Sequence, residues 1–136
     1  PWDGSGNGGF CSPGVEPWLP LGPEASERNV AAQLADPQSV LNLYRALLAY
    51  RRSSPSLRLG DYAEVDGVPA GCFAFVRTHP GSPVVAAAVN FTGEEMTVPG
   101  LPDGSVVVST GMDRHGERVT GSVRLGPHEA VVVAAG

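Results

Sequence analysis

The segment VVAAAVNF, residues 84–91, is the strongest indication of the fold class of this chain, because every position before Asn90 is apolar. A strand with one solvent-exposed face alternates apolar and polar residues, whereas a strand that is covered on both faces is apolar throughout. The stretch therefore predicts a strand in the centre of a sheet, with both of its faces covered.

The segments around this strand also have the short apolar runs and turn signals of a β-domain. Before it, DYAEVDG (61–67) and CFAFVRTH (72–79) flank Asp66-Gly67, which predicts a hairpin. After it come four more short runs, separated by Gly, Pro and Asp: EEMTV, SVVVST, GSVRL and EAVVVAA. About seven short strands in succession predict a mostly β chain with an antiparallel β-sandwich. The aromatic residues of this region are predicted to lie in its core: Tyr62, Phe73, Phe75 and Phe91.

One helix is predicted over residues 36–53. Asp36 is a favourable N-cap, Pro37 suits the first helical position, and Ser53, Ser54 and Pro55 end the helix. The apolar residues cover nearly half of the helical wheel, which predicts packing against a large layer: Val40, Leu41, Leu43, Tyr44, Leu47, Leu48 and Tyr50.

Arg51 falls inside this apolar arc, and two interpretations stay open. Its stem can pack while the guanidinium reaches water. Alternatively, the guanidinium is partly buried and bound by a carboxylate or by backbone carbonyls.

Composition excludes several classes of function. The formal net charge is −5, from 9 Lys and Arg against 14 Asp and Glu, which argues against nucleic-acid binding. No apolar run is long enough for a membrane span, so no membrane partner is expected. The two cysteines, Cys11 and Cys72, form no CxxC motif and are predicted to be free thiols in a reducing, cytoplasmic compartment.

Motifs for nucleophilic, metal or phosphate chemistry are missing from the sequence. There is no GxSxG, HExxH or P-loop pattern, and we predict neither a metal site nor a cofactor. Several carboxylates fall in turns or irregular segments, and none forms a recognisable glycosidase pair: Asp3, Asp61, Asp66, Asp103, Asp113 and Glu117. No catalytic residue is therefore predicted.

Residues 1–35 are rich in Gly and Pro and read as a loop, yet they carry three large aromatics. PWDGSGNGGF (1–10), followed by PWLPLGP (17–23), resembles the loop after the last barrel strand in α-glucosidases of the α-amylase superfamily, glycoside hydrolase family 13. The group it is most similar to is the oligo-1,6-glucosidases. Trp2 and Asp3 match the end of the family's Pro-Met-x-Trp-Asp motif; Asn7, Gly9 and Phe10 resemble its Asn-x-x-Gly-Phe segment; Trp18 and Leu19 resemble its Pro-Trp turn.

The resemblance continues to the end of the chain. The segment 36–62 is similar to the final barrel helix and its link, and the later strands resemble the family's C-terminal β-sandwich. The resemblance implies that residues 1–58 end a catalytic (β/α)₈ barrel, with a loop at 1–35 and the last helix at 36–53, and that residues 59–136 form the sandwich.

The resemblance also implies a function. The chain would be the C-terminal portion of a retaining α-glucosidase that acts on α-linked gluco-oligosaccharides, with the missing catalytic barrel as its partner. Trp2, Asp3, Asn7 and Phe10 would lie on the substrate side; Trp18, Asp36 and Arg51 would be structural. The family's three catalytic acids match no position here, and neither do the Arg and Met of its Trp-Asp motif, so this chain alone is expected to be inactive.

Two other interpretations remain open. The chain can belong to an enzyme of the trehalose synthase or sucrose isomerase type, since those enzymes share several of these features. It can also be a stand-alone carbohydrate-binding or interaction module. A sugar-binding sandwich displays aromatics on one face, so the predicted burial of Tyr62, Phe73, Phe75 and Phe91 favours the enzyme portion over the module.

Overall fold

A computed structural model describes residues 1–136 as three helices followed by eight strands. The helices are α1 (Val30–Ala35), α2 (Val40–Ser53) and α3 (Pro55–Leu59). The strands are β1 (Asp61–Glu64), β2 (Cys72–Thr78), β3 (Val85–Asn90), β4 (Met96–Pro99), β5 (Gly104–Ser109), β6 (Arg118–Val119), β7 (Ser122–Leu125) and β8 (Ala130–Ala135).

The chain divides into two compact units, Pro1–Arg45 and Ala46–Gly136. The first contains the N-terminal loop and α1, and the second contains α3 and every strand. The domain boundary predicted at residue 58 stays a prediction.

The strands form the predicted antiparallel sandwich. One sheet has six strands in the order β1-β2-β3-β8-β5-β6, and the other pairs β4 with β7. The stretch that decided the fold class forms β3, which lies between β2 and β8, as predicted for a covered central strand. β1 and β2 form the predicted hairpin, with Gly67 in the left-handed conformation between them.

The hydrophobic core lies between the two sheets. It joins Ala74, Ala86 and Ala88 of the large sheet to Val98 and Leu125 of the small one. Val98 and Leu125 are completely inaccessible to solvent. Burial of branched aliphatic side chains stabilises such a core by roughly 1.5–3 kcal/mol each.

The aromatic residues are not in this core, so that prediction was wrong. Register places Phe73 and Phe75 opposite Val89 and Ala87, on the face of the large sheet that points away from the small sheet. Because β2 is apolar on both faces, its sequence does not tell which face is buried; the small side chains of Ala74 and the β3 alanines take the core side.

The helical region differs from the prediction in two ways. The helix predicted from residue 36 begins at Val40, because Ser39 provides the cap: its hydroxyl accepts a hydrogen bond from the Asn42 amide at 3.2 Å. Asp36 instead ends α1, and its carboxylate accepts from the Gln38 amide in the turn between the helices. Asp36 is therefore the C-cap of α1 and not the N-cap of α2, and its predicted structural role stays a prediction.

The second difference is that two short helices flank α2. α1 lies inside the segment predicted to be loop, and Asn29 caps it by accepting from the Ala32 amide at 2.9 Å. α3 begins directly after the predicted end at Ser53, because Ser54 caps it and Pro55 occupies its first turn. No residue of α2 is buried, so this chain alone does not cover its apolar arc.

Candidate functional site

The N-terminal loop, where the predicted site residues lie, is organised around the side chain of Asn7. Its amide nitrogen donates to the carbonyls of Cys11 at 2.8 Å and Ser12 at 3.0 Å. Its amide oxygen accepts from the Ser5 hydroxyl at 3.0 Å and from the Gly9 amide at 3.2 Å. Asn7 thus uses both ends of its amide to fold the loop, and its predicted place on the substrate side stays a prediction.

Glycines bring the two arms of the loop together. The Trp2 amide donates to the Gly8 carbonyl at 2.8 Å, and Gly8 and Gly9 both have positive φ. A Cβ on Gly9 would lie 2.9 Å from Asp3 Oδ2 and 3.0 Å from Trp2 Cβ. Only glycine accommodates both the conformation and this close approach, so the Gly-rich sequence positions Trp2 and Asp3.

Asp3 is held as an ionised acceptor. The Ser5 amide donates to Asp3 Oδ1 at 2.9 Å, and hydrogen bonding from Ser5 lowers the pKa of the Asp3 carboxyl below its usual value. A general acid must carry a proton near neutral pH, which is the opposite requirement. Asp3 is therefore suited to accepting hydrogen bonds, for example from hydroxyl groups.

The large aromatics of the loop are exposed. Trp2 is 60%, Phe10 57% and Trp18 95% accessible to solvent. Trp18 therefore packs against nothing in this chain, and its predicted structural role requires a partner surface that the chain does not supply.

Two cavities open in this loop. One, of about 630 Å³, is lined by the polar groups of Asp3, Ser5, Asn7 and Glu16. The other, of about 500 Å³, lies against the apolar faces of Phe10, Trp18 and Leu19. Cys11, Glu16 and Pro17 line both cavities. The segment thus places hydrogen-bond acceptors next to exposed apolar rings.

A second polar cluster lies in the sandwich and was not predicted. Arg114 donates from Nη2 to Glu117 at 2.6 Å, from Nη1 to Glu129 at 2.8 Å, and from Nη1 to the Arg124 carbonyl at 3.0 Å. The hydrogen bonds from Arg114 lower the pKa of Glu117. Neither carboxylate is placed as a general acid, since both are bound by the same guanidinium. In the sequence only the three-residue spacing of Arg114 and Glu117 gives a signal for this cluster.

Asn90, which begins a glycosylation sequon, has a structural role. It is buried, and its amide donates to the carbonyls of Glu94 at 2.7 Å and Gly126 at 2.8 Å. Attachment of a glycan replaces one of the two N–H groups of this amide, so it would remove at least one of these bonds.

Arg51 agrees in part with each of its two predicted interpretations: its guanidinium is exposed to water, and it is also bound by a backbone carbonyl. Its side chain is exposed, and its guanidinium donates to the Leu57 carbonyl at 3.1 Å. It thus links the end of α2 to α3 without being buried.

No group of three or more His, Cys, Asp and Glu side chains is arranged to hold a metal ion. Cys11 and Cys72 are both unpaired. None of the three helices has the length and apolar character that crossing a membrane requires.

Part of this chain matches a known protein family. Residues 1–60 match the family model described as "Alpha amylase, catalytic domain". The match ends one residue before β1 begins, so it covers the loop and all three helices.

Curated relatives and solved structures extend the similarity to the sandwich. The chain is 33% identical to an α-glucosidase of Candida albicans over 131 residues, covering 95% of this chain and 22% of that protein. It is 33% identical to an oligo-1,6-glucosidase of Parageobacillus thermoglucosidasius over 102 residues, covering 75% and 17%. The trehalulose synthase MutB of Pseudomonas mesoacidophila MX-45 matches with a TM-score of 0.82 and 28% identity, covering 98% of this chain and 24% of that one. The chain thus spans less than a quarter of each of these proteins.

Proposed function

Because this chain belongs to the α-amylase family, we propose that it forms the C-terminal portion of a retaining α-glucosidase that hydrolyses α-glucosidic bonds in oligosaccharides. The observation that carries the proposal is the match of residues 1–60 to the family's catalytic domain, continued through the sandwich by the similarity to α-glucosidases.

In this enzyme the loop would supply binding groups and the chemistry would come from elsewhere. Retaining hydrolysis needs a nucleophilic carboxylate and a protonated acid about 5 Å apart. Asp3 is held ionised by Ser5, and Glu117 and Glu129 are bound by Arg114. We therefore assign no catalytic role to these three residues, and propose Trp2, Asp3, Asn7 and Phe10 as the substrate-side elements of the loop.

The exposed aromatics support this division. The ring of Phe10 is exposed in a cavity that Glu16 also lines, and Glu16 lines the neighbouring cavity together with Asp3; the exposed Trp2 precedes Asp3 in the chain. The face of an aromatic ring packs on the apolar C–H surface of a pyranose while neighbouring acceptors bind its hydroxyls. The preferred partner is an α-linked gluco-oligosaccharide. We place the enzyme in the cytoplasm, on the support of two unpaired cysteines.

A second candidate has its own support. The similarity to a trehalulose synthase favours an enzyme that transfers or isomerises a glucosyl group instead of releasing it to water. Both candidates form a glucosyl-enzyme intermediate and differ in the acceptor.

Product analysis distinguishes these candidates. The polypeptide that contains this chain together with its barrel is incubated with maltose, isomaltose and sucrose, and products are separated by chromatography. Release of glucose from maltose or isomaltose supports the α-glucosidase, whereas conversion of sucrose into an isomeric disaccharide supports the isomerase. If the gene encodes no barrel next to Pro1, the stand-alone module becomes the better interpretation.

The 136-residue chain provides the matched control. Alone it should release no glucose from either substrate above the buffer rate. Turnover by this chain that survives repurification would contradict the assignment of the catalytic acids to another part of the enzyme.

A further inference from the structure

An aromatic patch is exposed on the outer face of the six-stranded sheet. It consists of Tyr62, Phe73 and Phe75, which register places on one face of β1 and β2. The ring centroids of Tyr62 and Phe75 lie 5.5 Å apart, and those of Phe73 and Phe75 lie 5.8 Å apart. Tyr62 is 53% and Phe73 38% accessible to solvent. Clustered apolar rings on a surface mark a site of association.

The neighbouring part of the same face is already covered. Val85 is opposite Arg77 in the sheet and is buried, although it does not belong to the core between the sheets. α3 packs against β2 here, and the Ser56 hydroxyl donates to the Pro83 carbonyl at 2.6 Å. The aromatic patch therefore continues a surface that α3 has begun to cover.

Arg77 lies on this face and lacks one acceptor. Its Nη2 donates to the Gly60 carbonyl at 2.7 Å, while its Nε is buried without a hydrogen-bond partner. No carboxylate of the chain forms an ion pair with Arg77; Glu64, the acid on the same face, accepts from the Tyr62 hydroxyl at 3.3 Å. The Nε is inaccessible from outside, but Arg77 as a whole is only half-buried and its charge has no counter-ion, so a surface that covers this face gains by bringing an acceptor to the accessible part of the guanidinium.

The position of α3 indicates which surface this is. The match to the family's catalytic domain extends to residue 60 and so includes α3, whereas the patch starts two residues later, at Tyr62. The last element of the catalytic domain thus already lies against this face, next to Arg77. Other helices of that domain would continue the cover.

We propose that the aromatic patch and Arg77 form the surface by which the sandwich docks on the catalytic barrel, against an apolar helix face that carries an acceptor for Arg77. The inference rests on the proposed function, since it requires the barrel. Domains of one chain associate through such mixed apolar and polar interfaces.

A saccharide fits this patch less well. The rings are tilted by 32° and 41° against their neighbours, so they do not form one flat platform.

Hydroxyl-radical labelling with mass spectrometry tests the docking. The 136-residue chain and the barrel-containing polypeptide are labelled under the same conditions, and modification of Tyr62, Phe73 and Phe75 is compared. We expect at least fivefold protection of Tyr62 and Phe73 in the longer polypeptide. The exposed His128, in the turn before β8, serves as the internal control and should be labelled equally in both.

Equal labelling of the rings in both polypeptides would overturn the proposal. So would protection in the short chain alone that rises with concentration, because a second copy would then cover the patch, or protection by added maltose, because the patch would then bind sugar. A longer polypeptide that protects the rings but hydrolyses no α-glucoside would contradict the proposed function and leave the docking intact. A longer polypeptide that hydrolyses the substrate while its rings stay unprotected would support the proposed function and contradict the docking.

A pair of variants in the longer polypeptide tests the role of Arg77. Arg77→Gln should increase the labelling of Tyr62 at least twofold, because it removes the charge that pairs with the barrel's acceptor. Arg124→Gln, which removes an exposed arginine of the small sheet, should leave it unchanged. Equal effects of the two variants would show that Arg77 has no part in docking.

Discussion

The two compact units of this chain are stabilised in different ways. In Ala46–Gly136, branched aliphatic side chains such as Leu125 and Val133 are completely buried. In Pro1–Arg45, the buried residues are small or polar, such as Ala25 and Asn29, while Trp18 is almost fully exposed. Pro1–Arg45 is therefore stabilised by its hydrogen bonds and helix caps, whereas Ala46–Gly136 is stabilised by its hydrophobic core.

The N-terminal unit, Pro1–Arg45, has little apolar burial to offset the entropy cost of ordering its loop. Ordering an irregular segment costs roughly 1–2 kcal/mol per residue, and the hydrogen bonds around Asn7 each return only about 1 kcal/mol. Burial of Trp2, Phe10 and Trp18 is the stabilisation that the unit lacks in this chain. A docked partner surface would supply it.

The largest loss of stability is expected in the core of the sandwich. Leu125→Ala should destabilise the sandwich by about 2–5 kcal/mol, because it opens a cavity where no side chain can follow. The same deletion in the N-terminal unit, Leu19→Ala, should change the free energy of unfolding by less than about 0.5 kcal/mol, because Leu19 is exposed. Urea unfolding followed by far-ultraviolet circular dichroism measures both. Similar costs at the two positions would refute the contrast between the units.

The second effect concerns the cluster around Arg114. Arg114→Gln should cost about 2–3 kcal/mol, since it removes charged hydrogen bonds to Glu117 and Glu129 and leaves the half-buried Glu129 without its partner. Arg124→Gln, at the exposed pair with Glu95, is the matched control and should cost less than about 1 kcal/mol.

Acid should reduce the difference in the free energy of unfolding between the wild type and Arg114→Gln. The pKa of Glu117 is lowered in the folded chain, so its bond to Arg114 contributes fully above the unfolded pKa, roughly 4.3. The contribution is lost as the pH falls through the lower folded pKa. Urea unfolding should show a smaller free-energy difference between the two proteins at pH 3 than at pH 7. A larger difference at pH 3 would contradict the bond between Glu117 and Arg114.

The third effect is confined to the N-terminal unit. Asn29→Ala removes the cap of α1 and the donor to the Ala25 and Ser26 carbonyls, which should cost about 1–2 kcal/mol locally. Hydrogen exchange in residues 30–36 should accelerate while the strands keep their protection. Ser26→Ala, an exposed neighbour whose side chain caps nothing, should leave the exchange unchanged. Loss of protection in β3 or β8 would mean that the units unfold together.

The smallest effect concerns Arg51. Its guanidinium is exposed and makes one bond, to the Leu57 carbonyl, so Arg51→Ala should cost at most about 0.5–1 kcal/mol. Arg52→Ala, at the exposed neighbouring position, gives the baseline. A cost near 3 kcal/mol for Arg51 alone, measured by thermal unfolding, would show that the arginine is buried as one of the two sequence interpretations proposed.

Local sequence signals were enough to predict most of the secondary structure. The continuous apolar run predicted the central strand β3, Asp66-Gly67 predicted the first hairpin, and Ser53 was the predicted end of α2. These features depend on local chemistry, which a sequence displays directly. The start of α2 did not follow, because Asp36 and Ser39 are both good caps and the one used depends on the turn that α1 leaves.

Which apolar residues are buried depends on how the two sheets pack together. Phe73 and Phe75 alternate with Ala74 and Val76 along β2, so the sequence separates two faces but does not rank them. The small sheet approaches the alanine face, where close packing needs small side chains, and the aromatic rings are left outside. Likewise, Glu129 reaches Arg114 only because the fold brings residues fifteen positions apart together. Such pairings are set by how sheets stack, which no local pattern records.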